Sequence, residues 1–178
     1  MLLDKFSFCP SCGSREFLVN DDRSKRCSQC GFTYYMNASA AYVALIVNER
    51  GELLVARRKN EPAKGTLDIP GGFADPNETA EEGVAREVSE ETGLKVLSSR
   101  YLFSLPNSYL FSGMPIPTLD LFFLCEVDST AHAEACDDVD ELMWIAADDI
   151  RPSEFGLLSI RKGVDRFVRE MKQRRAKD

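Results

Sequence analysis

The sequence predicts an α/β domain, a mixed sheet sandwiched with helices, preceded by a small cysteine-rich module. Three observations predict it. Short apolar runs of strand character recur between residues 38 and 145, two other segments carry helical periodicity, and four of the six cysteines fall as two Cys-x₂-Cys pairs near the N-terminus. A chain of 178 residues suits one substantial domain plus a small unit. The expected division is 1–37 for the module and 38–178 for the domain with its C-terminal amphipathic helix.

Taken in order, Phe17–Val19 and Phe32–Tyr35 read as short strands of the module. Residues 38–47 read as a buried strand, Asn48–Gly51 as a hairpin turn, and Glu52–Arg57 as the return strand. Thr66–Ile69 leads through Gly71-Gly72 into a helix at about 77–92. Asp75, Asn77 and Thr79 are its candidate caps, Ala80, Val84 and Val88 its buried stripe, and Gly93 its stop. Strands follow at Lys95–Leu105 and Thr118–Val127, with Asn107–Pro117 as a loop or short hairpin between them. Leu142–Ile145 is a last short strand, and Asp148–Ile150 starts a helical turn. Phe155–Lys172 is an amphipathic helix with Leu157, Ile160, Val164, Phe167, Val168 and Met171 on one face.

Cys9-Pro-Ser-Cys12-Gly and Cys27-Ser-Gln-Cys30-Gly are paired knuckles separated by 14 residues. Four thiolates at this spacing suit a closed tetrahedral Zn²⁺ site. All four positions are protein ligands, so the zinc is expected to be structural, holding together a unit too small to build its own core. Two disulfides are the competing reading, disfavoured because Met1–Phe6 is charged at once and has no secretory core. Cys125 and Cys136 read as ordinary thiols.

The net charge of −7 is uneven: residues 1–37 carry +1, 38–160 carry −13 and 161–178 carry +5. An acidic central domain argues against nucleic acid as a partner, and the basic tail reads as a solvated helix end. No run approaches a membrane span of about 18 apolar residues. A cytoplasmic protein is expected.

The chemistry is concentrated between Gly72 and Leu94. Glu87, Glu90 and Glu91 share one helix face, with neighbouring Cβ atoms roughly 5–6 Å apart. Like charges so placed repel, and a hard divalent cation such as Mg²⁺ or Mn²⁺ removes the repulsion through oxygen ligands. Gly72, Glu78, Arg86, Glu87, Val88, Glu90, Glu91, Gly93 and Leu94 together fill every fixed position of the Nudix box, and the segment is identified as a member of that family. The resemblance covers roughly residues 38–175 and implies an α/β/α sandwich. It implies Glu87, Glu90 and Glu91 as metal ligands, with backbone carbonyls near Gly71–Gly72 helping, and Arg86 paired structurally with Glu78. It further implies attack of water on one phosphate of a nucleoside diphosphate linked to another group.

An additional carboxylate is expected from Asp137–Ile145, with Asp138 first and Glu141 second, against the plain alternative of a solvated acidic turn. Trp144 reads as core. The order of ribbon and Nudix domain is similar to the zinc-ribbon NADH pyrophosphatases, whose resemblance implies a dinucleotide or ADP-ribose type substrate and a homodimer. Those enzymes carry Ser-Gln-Pro-Trp after the box, whereas this chain has Ser104-Leu105-Pro106-Asn107-Ser108-Tyr109. Phe73, Tyr109 and Phe111 are the candidate substrate aromatics, with packing as the competing role. Two other classes stand beside the enzyme: a non-catalytic nucleotide sensor and a zinc-ribbon adaptor. The intact glutamates speak against the first, and the absence of a basic footprint on the ribbon against nucleic acid as target of the second.

Overall fold

The structure, a computed structural model, describes residues 2–128 and 132–175. The N-terminal module is a three-stranded antiparallel sheet of β1 (Phe17–Asp21), β2 (Ser24–Cys27) and β3 (Thr33–Tyr35) in that order. The middle strand was not expected: Ser24-Lys-Arg-Cys27 has no apolar alternation to announce it. Ser24, Lys25 and Cys27 are nonetheless buried, with Arg26 exposed, and Lys25 donates from Nζ to the Phe6 carbonyl (2.6 Å) while its ammonium lies over the Phe17 ring. Cys9, Phe17 and Cys27 form the buried centre, with Phe6 and Tyr34 against it.

The second part has β4 (Ser39–Ile46), β5 (Glu52–Arg58), β6 (Leu67–Asp68), α1 (Ala80–Thr92), β7 (Val96–Phe111), β8 (Met114–Val127), β9 (Val139–Ala146) and α2 (Leu158–Arg175). One sheet runs β4-β8-β7, with β4 parallel to β8, and another runs β6-β5-β9, all antiparallel. The Asn48–Gly51 turn closes with Gly51 N–H donating to Asn48 O (2.8 Å), but it joins two sheets instead of a continuing hairpin. Only Val47 and Leu53 form a bridge across it.

Alternation along β4 assigns the layers. Val43 and Leu45 join a core with Phe122, Phe155, Ile160, Val164 and Phe167, while Tyr42, Ala44 and Ile46 join Val84, Val88 and Phe123 on the other face. Sheets between α2 and α1 make the expected α/β/α sandwich. Phe122 is fully buried, stacks on Phe103 at 4.8 Å, and faces Gly163 of α2, where an added Cβ would come 2.2 Å from its ring. Phe122→Ala removes this contact between sheet and helix, and is expected to lower unfolding stability by about 3–5 kcal/mol in a denaturant titration.

Of the two expected forms of Asn107–Pro117, a loop or a short hairpin, the structure shows the hairpin, and a longer one than expected: β7 and β8 pair continuously from Val96↔Val127 to Phe111↔Met114. The Asn107–Pro117 segment is therefore strand on both sides of a Ser112-Gly113 turn, both residues with positive φ (50° and 72°). Pro106 is tolerated because β7 is an edge strand. Pro115 and Pro117 precede Thr118, where pairing of β8 with β4 begins, so their missing N–H groups fall where β8 has no second neighbour. The expected turn at Asp148–Ile150 lies one residue earlier, at 147–149, and α2 starts at Leu158, three residues later than expected. Trp144 is 37% exposed beside Leu54 and is not core.

Candidate active site

Thr79 is the cap of α1. Its hydroxyl accepts from Glu82 N–H (3.2 Å) while Glu82 returns a bond to Thr79 N–H (2.8 Å), and Gly93 ends the helix at φ 68°. Asp75 contributes a backbone N–H to Glu78 Oε1 (2.7 Å), and Asn77 makes a left-handed turn before the helix. With the start fixed, Val84 and Val88 face the core and the glutamates face the β4 edge.

Residues 70–74 run antiparallel along that edge. Tyr42 N–H donates to Gly72 O (2.8 Å), Ala44 N–H to Pro70 O (2.8 Å) and Ala74 N–H to Ala40 O (3.0 Å). The approach needs glycine: a Cβ on Gly71 would lie 2.0 Å from the Tyr42 carbonyl oxygen, and one on Gly72 would lie 2.5 Å from Glu87 Oε2. The Gly72 carbonyl keeps one lone pair after its bond to Tyr42. Because the Glu87 carboxylate is the movable end of its side chain, Gly72→Ala is expected to swing it away and not to unfold the strand. Turnover should fall at least tenfold, with unfolding stability changed by less than about 1 kcal/mol in the same preparation.

Arg86 organises the carboxylates. It holds Glu78 by two bonds, from Nε (3.0 Å) and Nη2 (2.9 Å), and its Nη1 bridges Glu87 (2.8 Å) and Glu90 (2.9 Å). Its Nη2 also donates to Phe73 O (3.2 Å), which ties the helix to the glycine segment. Glu78 is held below the usual carboxylate range by the Arg86 hydrogen bonds. Glu87 is pushed up by burial, against Arg86. Burial also pushes Glu91 up to about 8, reinforced by the charges of Glu87, Asp68 and Asp138, against the hydrogen bond from Gly71 N–H (2.9 Å).

Asp138 arrives from the far end of α1. The N–H groups of Glu134 and Cys136 cap the carbonyls of Thr92 (3.0 Å) and Glu91 (3.1 Å), which brings the acidic loop onto the helix terminus. Asp137 has a left-handed backbone (φ 49°), Lys59 N–H donates to Asp138 O (3.1 Å), and Asn60 Nδ2 donates to Asp138 Oδ1 (2.7 Å). Glu141, the second candidate, instead pairs with Arg57 at 3.0 Å on the surface.

These groups share one cavity of about 480 Å³. Gly72, Phe73, Glu87, Glu90, Glu91 and Asp138 line it together with Tyr109 and Phe111 from the β7–β8 hairpin; Arg86 and Glu78 stand behind the wall. Phe73 and Tyr109 meet edge to face at 5.3 Å. Sequence reasoning missed the interior of this cavity. Arg58 pairs there with Asp68 and donates to the Tyr109 hydroxyl (3.3 Å), and Asp120 lies between Thr118 and Ser159. The available signal was a lone acid in each of two apolar runs, Leu67-Asp-Ile69 and Leu119-Asp-Leu-Phe-Phe.

In the N-terminal module the Sγ atoms of Cys9, Cys12, Cys27 and Cys30 all lie within 4.8 Å of one another, with Cys9–Cys30 and Cys12–Cys27 both at 3.7 Å. A tetrahedral site with Zn–S of about 2.3 Å has sulfur–sulfur edges of roughly 3.8 Å, so the donor set fits zinc. The two knuckles are alike: Gly13 N–H donates to Cys9 O (2.8 Å) and Gly31 N–H to Cys27 O (2.9 Å), each glycine with φ near 75–78°. Backbone N–H groups of Cys30, then Gln29, hold the Cys27 thiol down at about 7, favouring thiolate.

The Nudix domain pattern matches residues 36–167, and the chain belongs to the Nudix family. It is similar to the NAD-capped RNA hydrolase NudC of Vibrio parahaemolyticus, at 30% identity over 145 residues, covering 82% of this chain and 53% of that protein. The corresponding protein of Deinococcus radiodurans is 33% identical over 147 residues, covering 80% of this chain and 50% of that one. The chain thus spans about half the length of these curated relatives. A crystal structure of a Nudix hydrolase from Nitrosomonas europaea superposes with a TM-score of 0.74 at 20% identity, covering 94% of this chain and 93% of that one, which shows a shared fold. Among the described residues no helix is long and apolar enough to cross a membrane.

Proposed function

We propose that this protein is a pyrophosphohydrolase that cleaves a nucleoside diphosphate joined to a second group, of dinucleotide or ADP-ribose type, with Mg²⁺ or Mn²⁺. The observation that carries the reading is the convergence of Glu87, Glu90, Glu91 and Asp138 on one cavity large enough for a substantial part of such a ligand. The donor set is oxygen-only and anionic, as a hard cation requires. Divalent cations bound there would neutralise phosphate oxygens and lower the pKa of the attacking water.

The chain's own groups have separate tasks. Arg86 fixes Glu78 and limits repulsion between Glu87 and Glu90. Gly71 N–H orients Glu91, and Asn60 orients Asp138, the candidate acceptor for the proton that water loses. Phe73 and Tyr109 provide aromatic surface beside the phosphates. Addition of one water across the phosphoanhydride gives a mononucleotide and the phosphorylated remainder. Two curated relatives are named as hydrolases of NAD-capped RNA, which supports a dinucleotide-like group at the scissile bond.

We propose further a structural zinc ribbon at 1–37, a Nudix domain at 38–178, a homodimer and a cytoplasmic setting in which thiolates stay reduced. Sedimentation velocity reads the assembly state. The activity is tested by kcat/KM across NADH, NAD⁺, ADP-ribose, FAD, dinucleoside polyphosphates and nucleotide sugars, with and without Mg²⁺. Cation-dependent release of a mononucleotide from at least one is expected, and no release from any would refute it.

A further inference from the structure

Beyond the carboxylates assigned to phosphate chemistry and the exposed Glu61 and Asp137 at its rim, the cavity is lined by two buried ones, Asp68 and Asp120. Asp68 is answered by the Arg58 guanidinium. Asp120 has no basic partner among the described residues. Its Oδ1 accepts from Thr118 Oγ1 (2.6 Å), and its Oδ2 accepts from the Ser159 hydroxyl. Thr118, Asp120 and Ser159 are only 3%, 4% and 1% exposed, yet Thr118 and Asp120 line the cavity, with Val43, Leu157 and Ile160 as apolar wall and Tyr109 nearby.

The two hydroxyls donate to the same carboxylate, so each has spent its proton there. A carboxylate offers about four lone-pair sites, and two of these remain as acceptors. A ligand atom meeting them must carry hydrogen. A phosphate, carbonyl or carboxylate oxygen in that place meets repulsion in a desolvated setting. Asp120 therefore suits a part of the substrate remote from its phosphates, and the apolar walls favour a flat ring over a hydrated sugar.

We infer that Asp120, held by Thr118 and Ser159, is a specificity-determining residue that accepts a hydrogen bond from the NH₂ group of a planar heterocycle. Two sources share that chemistry: an exocyclic ring amine, as in adenine, and an aromatic carboxamide, as in nicotinamide. The inference rests on the dinucleotide reading above and adds which functional group the cavity selects.

The test compares kcat/KM of the wild-type protein on NAD⁺, on its nicotinic acid analogue and on its hypoxanthine analogue, which share one pyrophosphate. The analogue altered in the ring seated at Asp120 should lose on the order of 100-fold or more, because it presents an oxygen where the site requires a donor. The identity of the poor analogue separates carboxamide from amine. Asp120→Asn can turn its own NH₂ toward that oxygen, so its discrimination should shrink at least tenfold. Equal kcat/KM for all three substrates, or a folded Asp120→Asn protein with full discrimination, would overturn the inference. If the variant does not melt cooperatively, the wild-type comparison alone decides. If no dinucleotide is cleaved, the proposed function fails separately. The inference is then read from dissociation constants of the paired mononucleotides, nicotinamide against nicotinic acid and AMP against IMP: preference for the NH₂ member of one pair sustains it, and no preference overturns it.

Discussion

Glu91→Gln is expected to lower kcat by roughly 10³-fold while leaving the chain folded. The amide keeps the shape of the side chain and its acceptor for Gly71 N–H, so the substitution removes charge and little else. Stability should move the opposite way. Glu91 is buried beside other carboxylates, and its pKa stands at about 8 against an ordinary 4.5. The folded state thus holds the proton more tightly than the unfolded state. That contribution to stability is fully present below about pH 4.5 and is lost as pH rises through 8. Without metal, the wild-type protein should lose ground to Glu91→Gln between pH 5 and pH 8 in thermal melts. Mg²⁺ should raise the wild-type melting temperature and leave the variant's nearly unchanged. A variant with full turnover would remove Glu91 from the machinery, and one unfolded at every pH would mean that its charge is structural.

Cys27→Ser should strip the N-terminal module of its metal and its order. The module's buried centre consists of Cys9, Phe17 and Cys27 with Phe6 and Tyr34 beside them, too little apolar surface to offset the entropy of ordering some 30 residues. Structural zinc supplies about 10–16 kcal/mol in comparable small units. Elemental analysis should fall from one zinc per chain to near none. Backbone amides of β1 and β2 should lose hydrogen-exchange protection while those of β8 keep theirs. Retained zinc and unchanged protection would show that the module stands on its own packing.

What the sequence made legible was what local chemistry fixes. The capping pair Thr79 and Glu82, the stop at Gly93 and the stripe through Val84 and Val88 are all local, and α1 lies within its expected range. Glu87, Glu90, Glu91, Asp138, Phe73, Tyr109 and Phe111, singled out from separate stretches of the sequence, also line one cavity. The two strands and a short hairpin between them were among the expected forms, but the length of the β7–β8 hairpin was not legible, because Pro106, Pro115 and Pro117 signal loop and only the sheet order reveals that their backbone positions face an edge. Strand β2 escaped because its burial depends on Phe6 and Phe17 and not on its own pattern. Arg58, Asp68, Asp120 and Ser159 stand apart in the chain, from residue 58 to residue 159. Their association exists only once β5, β6, β8 and α2 are packed. Trp144 shows the converse: a large aromatic in a strand, opposite the buried Leu54, is still 37% exposed and does not line the cavity.

In the proposed reaction Glu87, Glu90 and Glu91 direct water onto a phosphoanhydride. Hydrolysis of NAD⁺ or another cleaved panel member in ¹⁸O-labelled water, followed by mass spectrometry of the products, tests it most directly. One labelled oxygen is expected on the phosphate of a single mononucleotide product, formed only with Mg²⁺ or Mn²⁺ and nearly abolished in Glu91→Gln. Cleavage without label in either phosphate, or labelled product formed equally without divalent cation and by the variant, would contradict it.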